Sequence, residues 1–121
     1  NSYVTSELIS SYAWDTALNF ICQTNSAGYT LATTTDETYG NIGTSNKTTT
    51  GEYEADKYSK ICDFLGNRRE WTTEYCSHSS YPCVNRGGYY SYSNLYAAYR
   101  NLLSTSNSDS GIGFRTQLYI K

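Results

Sequence analysis

Cys83-Val84-Asn85-Arg86-Gly87-Gly88-Tyr89-Tyr90 opens the last third of the chain, and Gly113-Phe114-Arg115-Thr116-Gln117-Leu118-Tyr119-Ile120-Lys121 closes it. Between them, from Tyr89 to Ser110, 14 of 22 residues are Tyr, Ser or Asn, with Leu95, Leu102 and Leu103 scattered among them. Tyr offers a large amphipathic contact at little side-chain entropy cost, and Ser and Asn offer adaptable hydrogen bonds, which is the composition of an antibody-like paratope. A solvated loop or an amphipathic strand surface accumulates the same residues. The framing favours a binding surface, because strand-like, apolar or glycine-rich closures stand on both sides. Gly87 and Gly88, directly before the aromatic run, fit close backbone approach or a strongly bent strand.

Upstream, Ile61 to Tyr75 carries the second organising signal. A short apolar run turns at Gly66-Asn67, a pair suited to positive φ, and resumes as a strand through Glu70-Trp71-Thr72-Thr73, with Trp71 expected as a buried anchor. Glu70, Glu74 and Asp63 are expected to pair with Arg68 and Arg69 around that strand. Thr5 to Ile21 reads as an amphipathic helix with Trp14, Ala17, Leu18 and Ile21 on one face and a cap at Ser10 or Ser11. Trp14 and Phe20 suit core packing better than an aromatic ligand slot. Thr24 to Gly51 reads as loop, broken by Gly28, Gly40 and Gly43, with short strand character near Tyr29-Thr30-Leu31-Ala32. Glu52 to Lys57 reads as a solvated turn. Asn46-Lys47-Thr48 is an N-glycosylation sequon, meaningful only in a secretory host.

At 121 residues the chain suits one domain. With 14 Tyr, no Met and 17% charged residues, aromatic rings must supply much of the core. The net charge of −2 and the scattered basic residues give no electrostatic footprint for nucleic acid. No apolar run approaches bilayer length, so direct membrane insertion is not expected. The start at Asn1-Ser2-Tyr3 suggests a fragment, the C-terminal domain of a longer protein whose preceding part carried any address. The cysteines Cys22, Cys62, Cys76 and Cys83 allow three pairings. Cys76–Cys83 with Cys22–Cys62 suits an oxidising compartment, and free thiols suit a cell interior or a virion assembled there. A zinc site from Cys76, His78 and Cys83 matches no familiar ligand spacing.

Five motifs in order, Ala13-Trp14-Asp15, Asp63-Phe64-Leu65-Gly66-Asn67-Arg68-Arg69-Glu70-Trp71, Arg86-Gly87-Gly88, Ala97-Ala98-Tyr99-Arg100 and Gly113-Phe114-Arg115, resemble the formylglycine-generating, sulfatase-modifying-factor type of domain. The resemblance covers most of the chain, apart from the N-terminal strands of that family, which are not expected before the helix here. It implies an α+β, C-type lectin-like fold with short twisted antiparallel strands, at least one N-terminal helix and long irregular loops. The insert between the third and last motifs resembles the variable region, about 84–115, of proteins diversified by bacterial and phage diversity-generating retroelements. That likeness implies variable, ligand-binding positions at Tyr90, Tyr92, Ser93, Asn94, Tyr96, Tyr99, Asn101, Leu102, Leu103 and Asp109. It implies a scaffold of Trp14, Trp71, Arg86, Gly87, Gly88, Ala97, Ala98, Arg100, Gly113, Phe114 and Arg115. Arg86, Arg100 and Arg115 suit buried, bidentate roles.

One departure bears on activity. Enzymes of the formylglycine-generating kind use a cysteine pair just after the glycines to bind copper, whereas Tyr89 to Tyr96 here contains none, so a soft metal has no thiolates. No enzymatic role and no catalytic residue is therefore expected. The resemblance implies recognition of a macromolecular ligand, protein or glycan, on a cell surface. The carrier it implies is a phage tail or a bacterial surface structure, such as an oligomeric phage or pilus assembly. The alternatives are a sulfatase-modifying-type oxidoreductase and a calcium-stabilised adhesin module, with Asp63, Asn67 and Asp109 as hard oxygen ligands for a structural calcium. No other cofactor is expected.

Overall fold

The computed structural model describes residues 3–26 and 28–120. Readings that rest on Asn1, Ser2 and Lys121 lie outside the described residues. Helix α1 (Ser11–Thr24) begins where the sequence places its cap: Ser10 is extended and its hydroxyl accepts from the Ala13 N–H at 3.0 Å. Trp14, Leu18 and Ile21 are buried along its inner face, Ala17 is half-buried, and Phe20 is exposed.

The residues before the cap are not helical. Val4–Leu8 forms strand β1, paired antiparallel with β8 (Thr116–Ile120) from Val4↔Ile120 to Leu8↔Thr116. A strand does precede the helix. Its partner lies at the other end of the chain, so no local pattern announces it.

The reading of 24–51 as loop also needs correction. Gly28–Thr33 is a short helix, α2, and Leu31 and Ala32, expected in a strand, join the core beside α1. Leu31 and Ala32 are themselves strong helix formers, and their burial against α1 outweighs the strand preference of Tyr29 and Thr30. Glu52 to Lys57 is not a solvated turn either. Glu54–Asp56 is a 3₁₀ turn whose last residue is 1% exposed. The Asp56 carboxylate accepts from the Phe64, Leu65 and Gly66 N–H groups at 3.2, 2.9 and 3.3 Å.

Strands β2 (Lys57–Tyr58) and β3 (Ile61–Cys62) form a hairpin over Ser59 and Lys60, both of positive φ as a type I′ turn requires. Asn67, also at positive φ, turns the chain into β4 (Arg69–Tyr75). The main sheet has the order β6-β5-β4-β7, from β5 (Cys83–Arg86), β6 (Arg100–Leu103) and β7 (Ile112–Phe114). Within it β7 runs parallel to β4 and the other pairs are antiparallel.

Alternation along β4 buries Glu70 and Thr72, so Trp71 between them is half-buried on the opposite face and is not the buried anchor expected. The deeply buried tryptophan is Trp14, whose ring lies 4.3 Å from that of Phe64 among Leu18, Ile21, Leu31, Ile42 and Leu65. Cys62, Cys76 and Cys83 are free thiols, so of the two alternatives neither disulfide of the paired one is formed. The register Tyr75↔Cys83 explains the absence of a Cys76–Cys83 bridge, since Cys76 then falls on the alternate face from Cys83.

Candidate binding surface

The Tyr/Ser/Asn run is irregular backbone that hydrogen bonds and two apolar side chains hold in place. Gly87 has φ +81° and its N–H donates to Tyr99 O at 3.0 Å. The Gly88 N–H donates to Leu65 O at 3.0 Å, and a Cβ on Gly88 would stand 2.3 Å from that oxygen. Only a residue without a side chain permits this approach. Further along, Tyr90 N–H donates to Asn67 O, Thr44 N–H to Tyr90 O, and Ala98 N–H to Ala32 O. Leu95 and Ala97 point into the core, and Trp14 Nε1 donates to Ala97 O at 3.1 Å.

Between these anchors the polar residues face out. Ser91, Tyr92, Ser93, Asn94 and Tyr96 are exposed, Tyr92 at 51% and Tyr96 at 39%, while Tyr90 and Tyr99 are half-buried. Rings gather in two groups. Tyr89 lies 4.9 Å from Tyr92 and edge-on to Tyr90, and Tyr96 is edge-on to Tyr99 at 5.9 Å. Tyr89 itself is buried beneath the Arg69 guanidinium, 4.2 Å from its ring centroid. Asp109 is exposed and accepts from Gly111 N–H.

The remaining candidates do not share one face. Strand alternation puts Asn101 and Leu103 on the side of β6 that carries Asn85 and Cys83, whereas Leu102 falls on the opposite side with Val84 and Arg86. That second side faces α1, as the Ser11–Thr72 and Asp15–Arg86 contacts show.

The three framework arginines differ. Arg115 binds both oxygens of Glu70 through Nε and Nη2, donates from Nη2 to Cys62 O at 2.9 Å, and lies over the Phe64 ring at 4.5 Å. Burial pushes the Glu70 carboxyl above its usual range despite that partner. Arg86 is buried, paired with Asp15, and donates to Ala98 O at 3.4 Å. Arg100 is exposed, contrary to the buried role expected of it, and its hydrogen bonds hold the Glu74 carboxyl below the ordinary range. Glu70 and Glu74 thus take Arg115 and Arg100 as partners, not the neighbouring Arg68 and Arg69. Phe114, named as scaffold, is 69% exposed, and Gly113 lies beneath the Arg68 stem.

His78 sits in the loop before β5, its Nδ1 accepting from the Ser80 and Tyr81 N–H groups at 3.2 and 3.1 Å. Asp63 accepts from Gly51 N–H and from Asn67 Nδ2. Among the described residues no group of three His, Cys, Asp or Glu side chains converges as a metal ion requires. Three contributors escaped sequence reading: Tyr89 as a buried platform, Asp56 as a buried cap, and the Leu95/Ala97 anchors acting together. Alternation of Leu95 and Ala97 inside a polar run was the available signal.

No family model matches the chain, and no curated protein matches it. Among solved structures it superposes on Treponema denticola variable protein 1 with a TM-score of 0.66 and 18% identity, over 96% of this chain and 48% of that one. The two share a mixed α/β fold of short strands and few helices, and this chain spans about half the length of that structure.

Proposed function

We propose that this chain is a diversified ligand-binding domain of C-type lectin-like fold, of the formylglycine-generating type in its framework. Its Tyr-rich surface recognises a protein or glycan on a cell surface, displayed from a phage tail or a bacterial surface structure. The observation that carries this reading is the anchoring of Tyr89–Tyr99. Backbone hydrogen bonds, Leu95 and Ala97 fix the chain, while Tyr92, Ser93, Asn94 and Tyr96 remain exposed and substitutable. Side chains that bear no part of the core can be exchanged without unfolding it, which a diversified surface requires. The fold shared with a protein called a variable protein supports the reading. A few tyrosine anchors among adaptable polar residues suit affinity for a macromolecule.

Sequencing sibling genes tests it. Substitutions concentrated at Tyr90, Tyr92, Ser93, Asn94, Tyr96, Tyr99, Asn101, Leu103 and Asp109, with Gly87, Gly88, Leu95, Ala97 and Arg115 fixed, are expected. Changes spread evenly over exposed positions would overturn it.

A further inference from the structure

A second surface, built outside the Tyr/Ser/Asn run, has the chemistry of a ligand site. Between the β2–β3 hairpin and β7 lies a cavity of about 390 Å³, walled by Lys60, Ile61, Asp63, Arg68, Phe114 and Arg115 among others. That volume falls within the ordinary range for binding pockets. Of its two carboxylates, Glu70 is paired through both oxygens with Arg115, and Asp63 keeps its charge while accepting from Gly51 N–H and the Asn67 amide. Arg68 and Lys60, by contrast, form no ion pair among the described residues, while the charge of Arg115 is taken up by Glu70. With Arg115 and Glu70 cancelling, Lys60 and Arg68 outweigh Asp63, so the cavity wall keeps an excess of positive charge in a molecule of net charge −2.

Two more observations specify the ligand. The four non-glycine residues of positive φ among the described residues, Ser59, Lys60, Asp63 and Asn67, all sit on or beside this wall. Strained backbone persists where the surroundings over-determine it, and functional sites collect it. The cavity also opens between two outer strands: β3 has only β2 as neighbour, and β7 is the last strand of the main sheet. Open strand edges take extended peptides through main-chain hydrogen bonds, with alternate side chains entering pockets. Exposed Phe114 and half-buried Ile61 supply apolar contact beside the charge.

We infer that this cavity binds an extended acidic peptide laid along the edge of β7, with one carboxylate held by Arg68 and Lys60. The site is independent of the Tyr-rich surface and does not rest on its proposed role.

The test uses fluorescence anisotropy with a short fluorescein-labelled peptide of alternating Val and Glu, compared with the same peptide carrying Gln for Glu. The acidic peptide should bind at least about tenfold more tightly, less so at high salt. R68Q should weaken it by about tenfold or more, and K60Q, at an exposed position, should weaken it without altering thermal melting. Amide NMR shifts on binding should centre on Ile61, Gly113 and Phe114, and Y92A should leave the affinity unchanged. Equal binding of the Gln peptide, affinity indifferent to both R68Q and K60Q, or shifts centred on Tyr89–Tyr99 would overturn the inference. Tighter binding of sialyllactose than of the acidic peptide would overturn it in favour of an acidic sugar. None of these failures bears on the sibling-gene test of the Tyr-rich surface.

Discussion

At the scale of single residues, the display surface depends on positions that admit no alternative. Gly88 is the sharpest: a methyl group there meets Leu65 O at 2.3 Å, a backbone atom that cannot rotate away. G88A is expected to destabilise the fold by at least about 2 kcal/mol, measured by urea denaturation. Trp14 joins α1 to the Tyr run through one indole hydrogen bond and fills the centre of the core. W14F removes the donor and leaves Ala97 O buried and unpaired, so a loss of about 3 kcal/mol is expected in the same assay. A close approach at the glycine pair and a core role for Trp14 are legible locally, but the partners and the depth of burial are not. Trp14 and Trp71 look alike in sequence, and only the packing buries one completely and leaves the other half-exposed.

At the scale of the element, Tyr89–Tyr99 has two populations of side chain with opposite tasks. Leu95 is 7% exposed, and truncating it to Ala is expected to cost about 2–4 kcal/mol. Tyr92, half in solvent, is expected to change stability by less than about 1 kcal/mol when replaced by Ala. Thermal melts of L95A and Y92A side by side check the contrast; equal losses would mean that the tyrosines are structural. The composition of this run was legible as a recognition surface, but its geometry was not. Adjacent residues of β6 point to opposite faces, so the half-buried run Asn101-Leu102-Leu103 is split by strand alternation into two positions on the face away from α1 and one toward it.

At the scale of the whole molecule, two buried carboxyls set the pH dependence of stability. Burial raises the Asp56 carboxyl to about 7 from 3.8, even against three N–H donors, and raises Glu70 in the same direction. The folded state then holds protons that the unfolded chain releases, so stability falls as pH rises from about 4 through about 7. For Asp56 the linked loss is at most on the order of 4 kcal/mol. Glu74, held below its usual range by Arg100, acts oppositely, and its contribution is lost as pH falls below 4.5. Maximum stability is expected in mildly acidic solution, and denaturant titrations across pH 4–8 should show it. D56N should flatten the decline.

The amino-acid order by itself determined the cap at Ser10, the buried face of α1, the turn at Asn67 and the glycine pair before the aromatic run. Each follows from local backbone preference or from spacing within one element. Only the tertiary structure decided that Val4–Leu8 is a strand, that Leu31 and Ala32 are helical, that Asp56 is buried and that Arg115 takes Glu70 as its partner. These depend on contacts between residues far apart in the chain, where the free energy of burial and pairing outweighs the weaker local propensities.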